Sequence, residues 1–535
     1  MPSKAMIVAA QPEAAEAGAK VLMKGGNAID AAVCAALVQG TVDPQMCGIA
    51  GFGNCQIMMP LKGIHTCIDF HGKTPSSAKE NMWEDLVVSE TRDGFGFVLK
   101  DNVNDLGYQS VTTPGSLKAY YEAVYDFGTW DWSDIIKPAI AHAEEGFIVR
   151  PHIDFFWNYG ANYGRVGLED RLKFSKTGRE AYFDKNRNLK RVGDHVKLSG
   201  MAETLKKIAK FGPDIFYRGE IAEKISEDML KNGGLLSYSD LSSYSTTKTD
   251  PLSGKYRDFE IYTNQPPGGG VMLLEMLNVL ENFDLRNMAH NSSEYIRVVS
   301  EAMKRATLDK EMFVGDPLFV NVPLEKLLSK EYALGVSNRI KQNERTFINR
   351  VTQIESKDTT HVSVIDREGN CVTMTHSLGM PSGVITDGLG FMFNGCMAVF
   401  DPRPGRPGSI VPGKSRFSSL APTIVTKGGN PHIVLGAPGG TQIAMGLLQA
   451  IVNVIDFDMT MLEAVSAPRF SSTSNIIDVT NRIPKYVTQE LEKLDYHIVR
   501  SPLTFGIAAV HGIRINNGKL DGGADPGHDG VALDI

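Results

Sequence analysis

Two β-prone runs, Asp358–Ile365 and Cys371–Ser377, flank a five-residue polar loop, Asp366-Arg367-Glu368-Gly369-Asn370. β-Branched residues on both arms and a glycine in the loop read as a hairpin. Further strand signals lie on both sides of it: Gln56–Met59 and His65–Phe70 toward one end, Ala421–Leu435 toward the other. The intervening 115–350 reads as mostly helical, with amphipathic stretches at Met201–Phe211 and Ile221–Lys231. No Pro/Gly/Ser-rich linker separates these regions. Strands from both halves of the chain must therefore meet in one α/β body, even though ~100–200 residues per domain would divide 535 residues into several.

Centring the hairpin on Glu368 sets Thr359 opposite Ser377. Two hydroxyls then face each other across the ladder, where they can hydrogen-bond. On its own a Thr-Thr-His strand is more often structural than catalytic. Elsewhere, Pro12–Met23 and a helix capped by Asn27 and running to Val38 are separated by Gly25-Gly26. A further helix spans Ala444–Val454. The 53 glycines exceed the usual ~7% and gather in short doublets such as Gly439-Gly440. Such placement suits tight turns and close backbone approach to a ligand.

The composition excludes several classes. The chain carries 55 basic and 62 acidic residues, so nothing argues for nucleic acid or a membrane surface as partner. No run of 18 apolar residues predicts a transmembrane helix. No Gly-x-Gly-x-x-Gly follows a clear first strand and no Walker-type lysine motif occurs, so no cofactor is expected. Four of the 6 cysteines (Cys34, Cys47, Cys55 and Cys67) fall close together beside His65. They lack the Cys-x-x-Cys pairing of structural zinc sites, so buried thiols are expected and no metal. Sparse cysteine and a start without a basic-then-apolar leader point to a cytoplasmic location.

Six segments, in order, resemble the γ-glutamyltranspeptidase family of N-terminal-nucleophile hydrolases. They are Gly25–Ala32, Thr113-Pro114-Gly115-Ser116, Asn232–Leu236, Thr359–Val364, Ser418–Thr423 and Pro438-Gly439-Gly440. The resemblance implies a four-layer αββα sandwich. It implies self-cleavage between Asp358 and Thr359, giving a large subunit 1–358 and a small subunit 359–535 in an intimate heterodimer, with a homodimer of these left open. Thr359 would then be the nucleophile, with its own new α-amine as base. Gly439 and Gly440 would form the oxyanion site, Ser377 would supply the second hydroxyl, and Ser418 and Ser419 would bind a substrate carboxylate.

The departures bear on the substrate. The family's carboxylate-gripping arginine is His71 here, in Asp69-Phe70-His71-Gly72-Lys73. Its Asn-Asn-Gln-Met-Asp-Asp segment reads Asn394-Gly395-Cys396-Met397-Ala398-Val399, so the acids that pair an α-ammonium are gone. The asparagine two residues past the second hydroxyl is Gly379. A buried substrate charge left without its partner costs several kcal/mol. The expectation is an amide hydrolase acting on a small carboxylate-bearing substrate, oxamate-amidohydrolase-like or acylase-like. His71, Ser418, Ser419, Asn394 and Arg416 are the candidate binding residues, with Lys73 as a further cation. Arg416 reads more readily as a solvated loop charge than as a binding group, and His71 reads equally as a packed neutral ring. The Pro/Gly-rich stretch 401–417 stands where the family has its lid, and its shortness favours hydrolysis over transfer. The alternatives are a γ-glutamyl hydrolase or transpeptidase with altered clamps, and an uncleaved binding protein on the same scaffold.

Overall fold

A computed structural model describes residues 4–91, 94, 96–158, 165–348 and 359–535. Among them, two antiparallel sheets stack face to face. The first has seven strands in the order Val531–Asp534, Met6–Ala9, Thr360–Ile365, Cys371–Ser377, Phe52–Met59, Ile64–Phe70, Thr247–Thr249. The second has six: Lys519–Ala524, His511–Asn516, Asn430–Gly436, Thr423–Lys427, Phe259–Thr263, Leu252–Tyr256. Helices Pro12–Met23 and Ala28–Val42 cover the outer face of the first sheet, and Gly270–Leu280 and Ile443–Ile455 cover that of the second. This is the expected αββα layering, with strands drawn from both halves of the chain.

The period-2 alternation of strand side chains sorts the hairpin Thr360–Ser377. Val362, Val364, Val372 and Met374 face the helices, in the core they share with Ile7 and Val33. Ile365 and Cys371 face the second sheet, packed with Val8, Ile424, Val434 and Ile513. Burying each Val or Ile contributes roughly 1.5–3 kcal/mol. A one-residue slip would move the whole set to the wrong face, so the register is strongly fixed.

The helix Pro12–Met23 matches its sequence limits. Asn27 accepts N–H bonds from Ile29 and Asp30 in a capping box, but its helix continues to Val42 instead of stopping at Val38. The strand expected over Gln56–Met59 begins four residues earlier, at Phe52. Gly53 lies between two neighbouring strands, and a Cβ there would come within 2.5 Å of the Thr375 carbonyl oxygen. Glycine here permits close pairing instead of ending the strand. The mostly helical middle also contributes Thr247–Thr249, Leu252–Tyr256 and Phe259–Thr263 to the edges of these two sheets.

Candidate active site

The ladder pairs Thr360 with His376 and Ile365 with Cys371, the register obtained by centring the hairpin on Glu368. Thr359 is buried just before the strand, and its hydroxyl donates to Ser377 Oγ at 3.3 Å. Ser377 Oγ also accepts the Gly379 N–H at 2.8 Å. The facing hydroxyls expected from the sequence are therefore present. Asp358 lies outside the described residues.

Thr360 points the other way, toward the helices, and is tied to them. Its hydroxyl donates to Gln11 Oε1 at 3.1 Å and accepts from Gln39 Nε2 at 3.0 Å. Gln39 Oε1 lies 2.8 Å from His376 Nε2, and His376 Nδ1 lies 2.6 Å from the Tyr120 hydroxyl. Gln11 in turn donates to Asp43 at 2.7 Å. Burial pushes the Asp43 carboxyl up to about 7 and the His376 imidazole down to about 3. Toward the second sheet, His361 is held between Thr375 Oγ1 and Ser363 Oγ, each 2.8 Å from a ring nitrogen. Burial, reinforced by the neighbouring His511 and His376, keeps it well below the usual histidine range. Sequence reading missed Gln11, Gln39, His376 and Tyr120. Only Gln39, a polar residue within an otherwise apolar buried helix, carried a signal.

Gly439 has φ 144° and Gly440 φ 55°. A Cβ on Gly439 would lie 2.7 Å from Ala508 Cα. These glycines lead through a short 3₁₀ turn into the helix Ile443–Ile455. Amides at such a terminus carry partial positive charge toward a developing oxyanion. Thr359 and Gly439 line one cavity of about 80 Å³.

A second wall is built around Phe52, which pairs with Ser377 in the ladder. Arg416 is buried with its guanidinium 4.5 Å from the Phe52 ring centre, which overturns its reading as a solvated loop charge. A Cβ at Gly379 would lie 3.2 Å from Arg416 Nη2. The guanidinium thus borders the space a side chain at 379 would enter.

His71 packs on the same ring, 5.7 Å between centres. Its Nδ1 lies 3.0 Å from both carboxylate oxygens of Asp69, and its Nε2 lies 2.5 Å from Ser418 Oγ. An ionised Asp69 only accepts, so Nδ1 carries a proton. Whichever form the ring takes, the Asp69–His71 pair has no net positive charge. The cation beside Phe52 is therefore Arg416.

Ser418 donates its backbone N–H to Pro267 O at 2.9 Å, and Ser419 is buried next to it. Lys73 is turned toward the Ser245 carbonyl and the Tyr244 ring. Asn394 is fully engaged within the protein. Its Oδ1 accepts from Thr112 N, Thr112 Oγ1 and Cys396 N, and its Nδ2 donates to the Ala50 and Thr112 carbonyls. That leaves it no amide hydrogen for a substrate. The lid-like stretch is pinned by Asp401, which pairs with Arg403 and accepts its backbone N–H.

Two stacked antiparallel sheets under helices, with a buried threonine at the head of a central strand, define the N-terminal-nucleophile hydrolase scaffold. The model of the family described as gamma-glutamyltranspeptidase matches residues 14–535, and the chain belongs to that family. It is 35% identical over 540 residues, all of this chain and 94% of the relative, to the acylase ACY 1 proenzyme of Pseudomonas sp. (strain V22). It is 33% identical over 490 residues, 87% of this chain and 80% of the relative, to the glutathione hydrolase proenzyme of Escherichia coli (strain K12). The solved cephalosporin acylase from Bacillus halodurans superposes with a TM-score of 0.86 at 27% identity, covering 99% of this chain and 96% of that one.

Proposed function

We propose that the chain matures by cutting itself before Thr359 and then hydrolyses the amide bond of a small carboxylate-bearing substrate. The observation that carries this reading is the Thr359 hydroxyl, 3.3 Å from Ser377 and in one cavity with Gly439. The α-amine exposed by cleavage takes the hydroxyl proton while Oγ1 attacks the substrate carbonyl. The Gly439 and Gly440 N–H groups stabilise the oxyanion. The protonated amine then gives its proton to the departing nitrogen, leaving an acyl ester on Thr359. Water, deprotonated by the same amine, releases the acid.

Arg416, with Ser418 and Ser419, takes the substrate carboxylate, and the neutral-or-negative Asp69–His71 pair orients Ser418. Ala398 and Val399 offer no anion to an α-ammonium. This favours an acylase-like substrate over a γ-glutamyl one, although both kinds of relative occur. The six cysteines are unpaired buried thiols, which supports a reducing compartment, and cell fractionation is the check.

Two measurements test the reading. A denaturing gel should show fragments 1–358 and 359–535, and a single uncut chain would favour the binding-protein alternative. A panel of small carboxylate amides should then be hydrolysed in preference to γ-glutamyl-p-nitroanilide. Efficient γ-glutamyl turnover would refute the substrate assignment.

A further inference from the structure

The Phe52 wall holds a constellation of side chains that amide hydrolysis at Thr359 does not use in full. Asp69, next to last in the strand Ile64–Phe70, meets His71 Nδ1 with both carboxylate oxygens at 3.0 Å. One of those oxygens also accepts the His71 backbone N–H at 3.0 Å. On the far side of the ring, His71 Nε2 lies 2.5 Å from Ser418 Oγ. Carboxylate, imidazole and hydroxyl thus stand in series within hydrogen-bond reach, the arrangement that turns a serine into a nucleophile.

Each part is held in place. Tyr244 donates its hydroxyl to the His71 carbonyl at 2.9 Å, and the imidazole packs on Phe52. Ser418 is anchored through its backbone N–H to Pro267 O. The His71 side chain has no exposed surface, whereas Ser418 keeps 4% of its own, so the base is shielded and the hydroxyl is not sealed. With Nδ1–H bound by Asp69, the neutral ring turns the Nε2 lone pair to Ser418, which donates its O–H. A neutral ring alone would suffice to orient a serine. A carboxylate behind it adds something only when Nε2 takes up the serine proton, because it stabilises the imidazolium that forms.

The nucleophile's own N–H, one of the usual oxyanion donors, is spent here on Pro267 O. The Arg416 guanidinium, on the same Phe52 ring, supplies positive charge at this wall. An ester, which expels a better leaving group than an amide, tolerates the weaker oxyanion support. We propose that Ser418, with His71 as base and Asp69 behind it, is a nucleophile separate from Thr359 that accepts the acyl group of a small ester. Ser418 Oγ bonds to the carbonyl carbon while its proton passes to His71 Nε2. The bond to the alcohol oxygen breaks, and Nε2 gives that oxygen the proton. Water then attacks the acyl-serine, passing a proton to Nε2, and the acid leaves as the proton returns to Ser418 Oγ. No step uses Thr359 or the cut before it.

The test treats the full-length protein with methanesulfonyl fluoride and maps the adduct by peptide mass spectrometry. The Oγ–S bond forms as the S–F bond breaks, fluoride departs and His71 takes the proton. Ser418 should be modified and Ser419, its neighbour without an imidazole partner, should not. Hydrolysis of p-nitrophenyl acetate should fall in proportion to the fraction of Ser418 modified. In His71→Gln, which can hold the hydroxyl but not accept its proton, labelling of Ser418 should slow by at least about 10²-fold. Asp69→Asn should slow it as well, and unfolding midpoints show whether each variant is folded. No adduct on Ser418, equal labelling of Ser419, ester turnover undiminished once Ser418 is modified, or unchanged labelling in the folded variants would overturn the proposal. The amide panel is read separately: its failure would remove the Thr359 reading and leave the Ser418 map to decide this one.

Discussion

The Thr359 hairpin and the Phe52 wall, which the proposed reaction joins in one centre, are built by different means. The first is a product of ladder register: once Ile365 pairs with Cys371, Thr359 and Ser377 must face each other. The second gathers Asp69, His71, Gly379, Arg416 and Ser418 from loops and strand ends far apart in sequence. Register admits only whole-residue changes, each of which destroys the site. A wall assembled from loops can change one residue at a time. Chemistry should therefore be invariant at the hairpin, while specificity is adjustable at the wall.

The largest effect expected is at the hairpin. Thr359→Ala should leave an uncut chain with no measurable amide turnover; efficient cleavage in that variant would break the comparison at its first term. Gly439→Ala adds a methyl 2.7 Å from Ala508 Cα at a φ of 144°. By pushing the residue 439 amide out of place it should lower kcat by up to about 10²–10³-fold, the range of a lost oxyanion donor, with processing and substrate affinity measured alongside.

At the wall, Arg416→Met should raise KM for carboxylate substrates by roughly 10²-fold and leave an uncharged analogue nearly unaffected, in keeping with ~2–5 kcal/mol for a buried charge pair. An equal loss on both substrates would move Arg416 from specificity to folding. Gln39→Leu removes the donor to Thr360 and should cost about 1–3 kcal/mol in denaturant unfolding, with a smaller fall in kcat.

The smallest effect is graded with pH. Burial holds His376 and His511 each to about 3, far below the ~6.5 of an unfolded chain. The unfolded state therefore binds more protons below about pH 6.5. The full stability is present above that value and is lost as pH falls toward 3, by up to about 1.4 kcal/mol per pH unit for each ring. Asp43, raised to about 7, acts in the opposite sense between about 4 and 7 but is outnumbered. Unfolding midpoints should thus decline from pH 6.5 to pH 4, and a flat profile would contradict this.

The hairpin was legible because local alternation and one loop determine its register. The helix cap at Asn27 was legible for the same reason, since its partners are two and three residues away. The strand read as Gln56–Met59 begins at Phe52, because Gly53, weak as a strand former, is what lets its two neighbours approach closely. The burial of Arg416 was invisible because Phe52, which covers it, is more than 350 residues distant. Asn394 sits in a motif-like segment, yet its amide is consumed by Thr112, Ala50 and Cys396.

The strand Met6–Ala9 pairs on one side with Thr360–Ile365 and on the other with the edge strand Val531–Asp534. A cut before Thr359 would leave both neighbours on one fragment and the strand between them on the other. The two pieces would then be interleaved within one sheet, not merely docked, and could separate only by breaking both hydrogen-bond ladders. Maturation would create two chain ends without creating a subunit interface in the ordinary sense. Dilution should not dissociate the pair, and the two fragments should melt in a single transition.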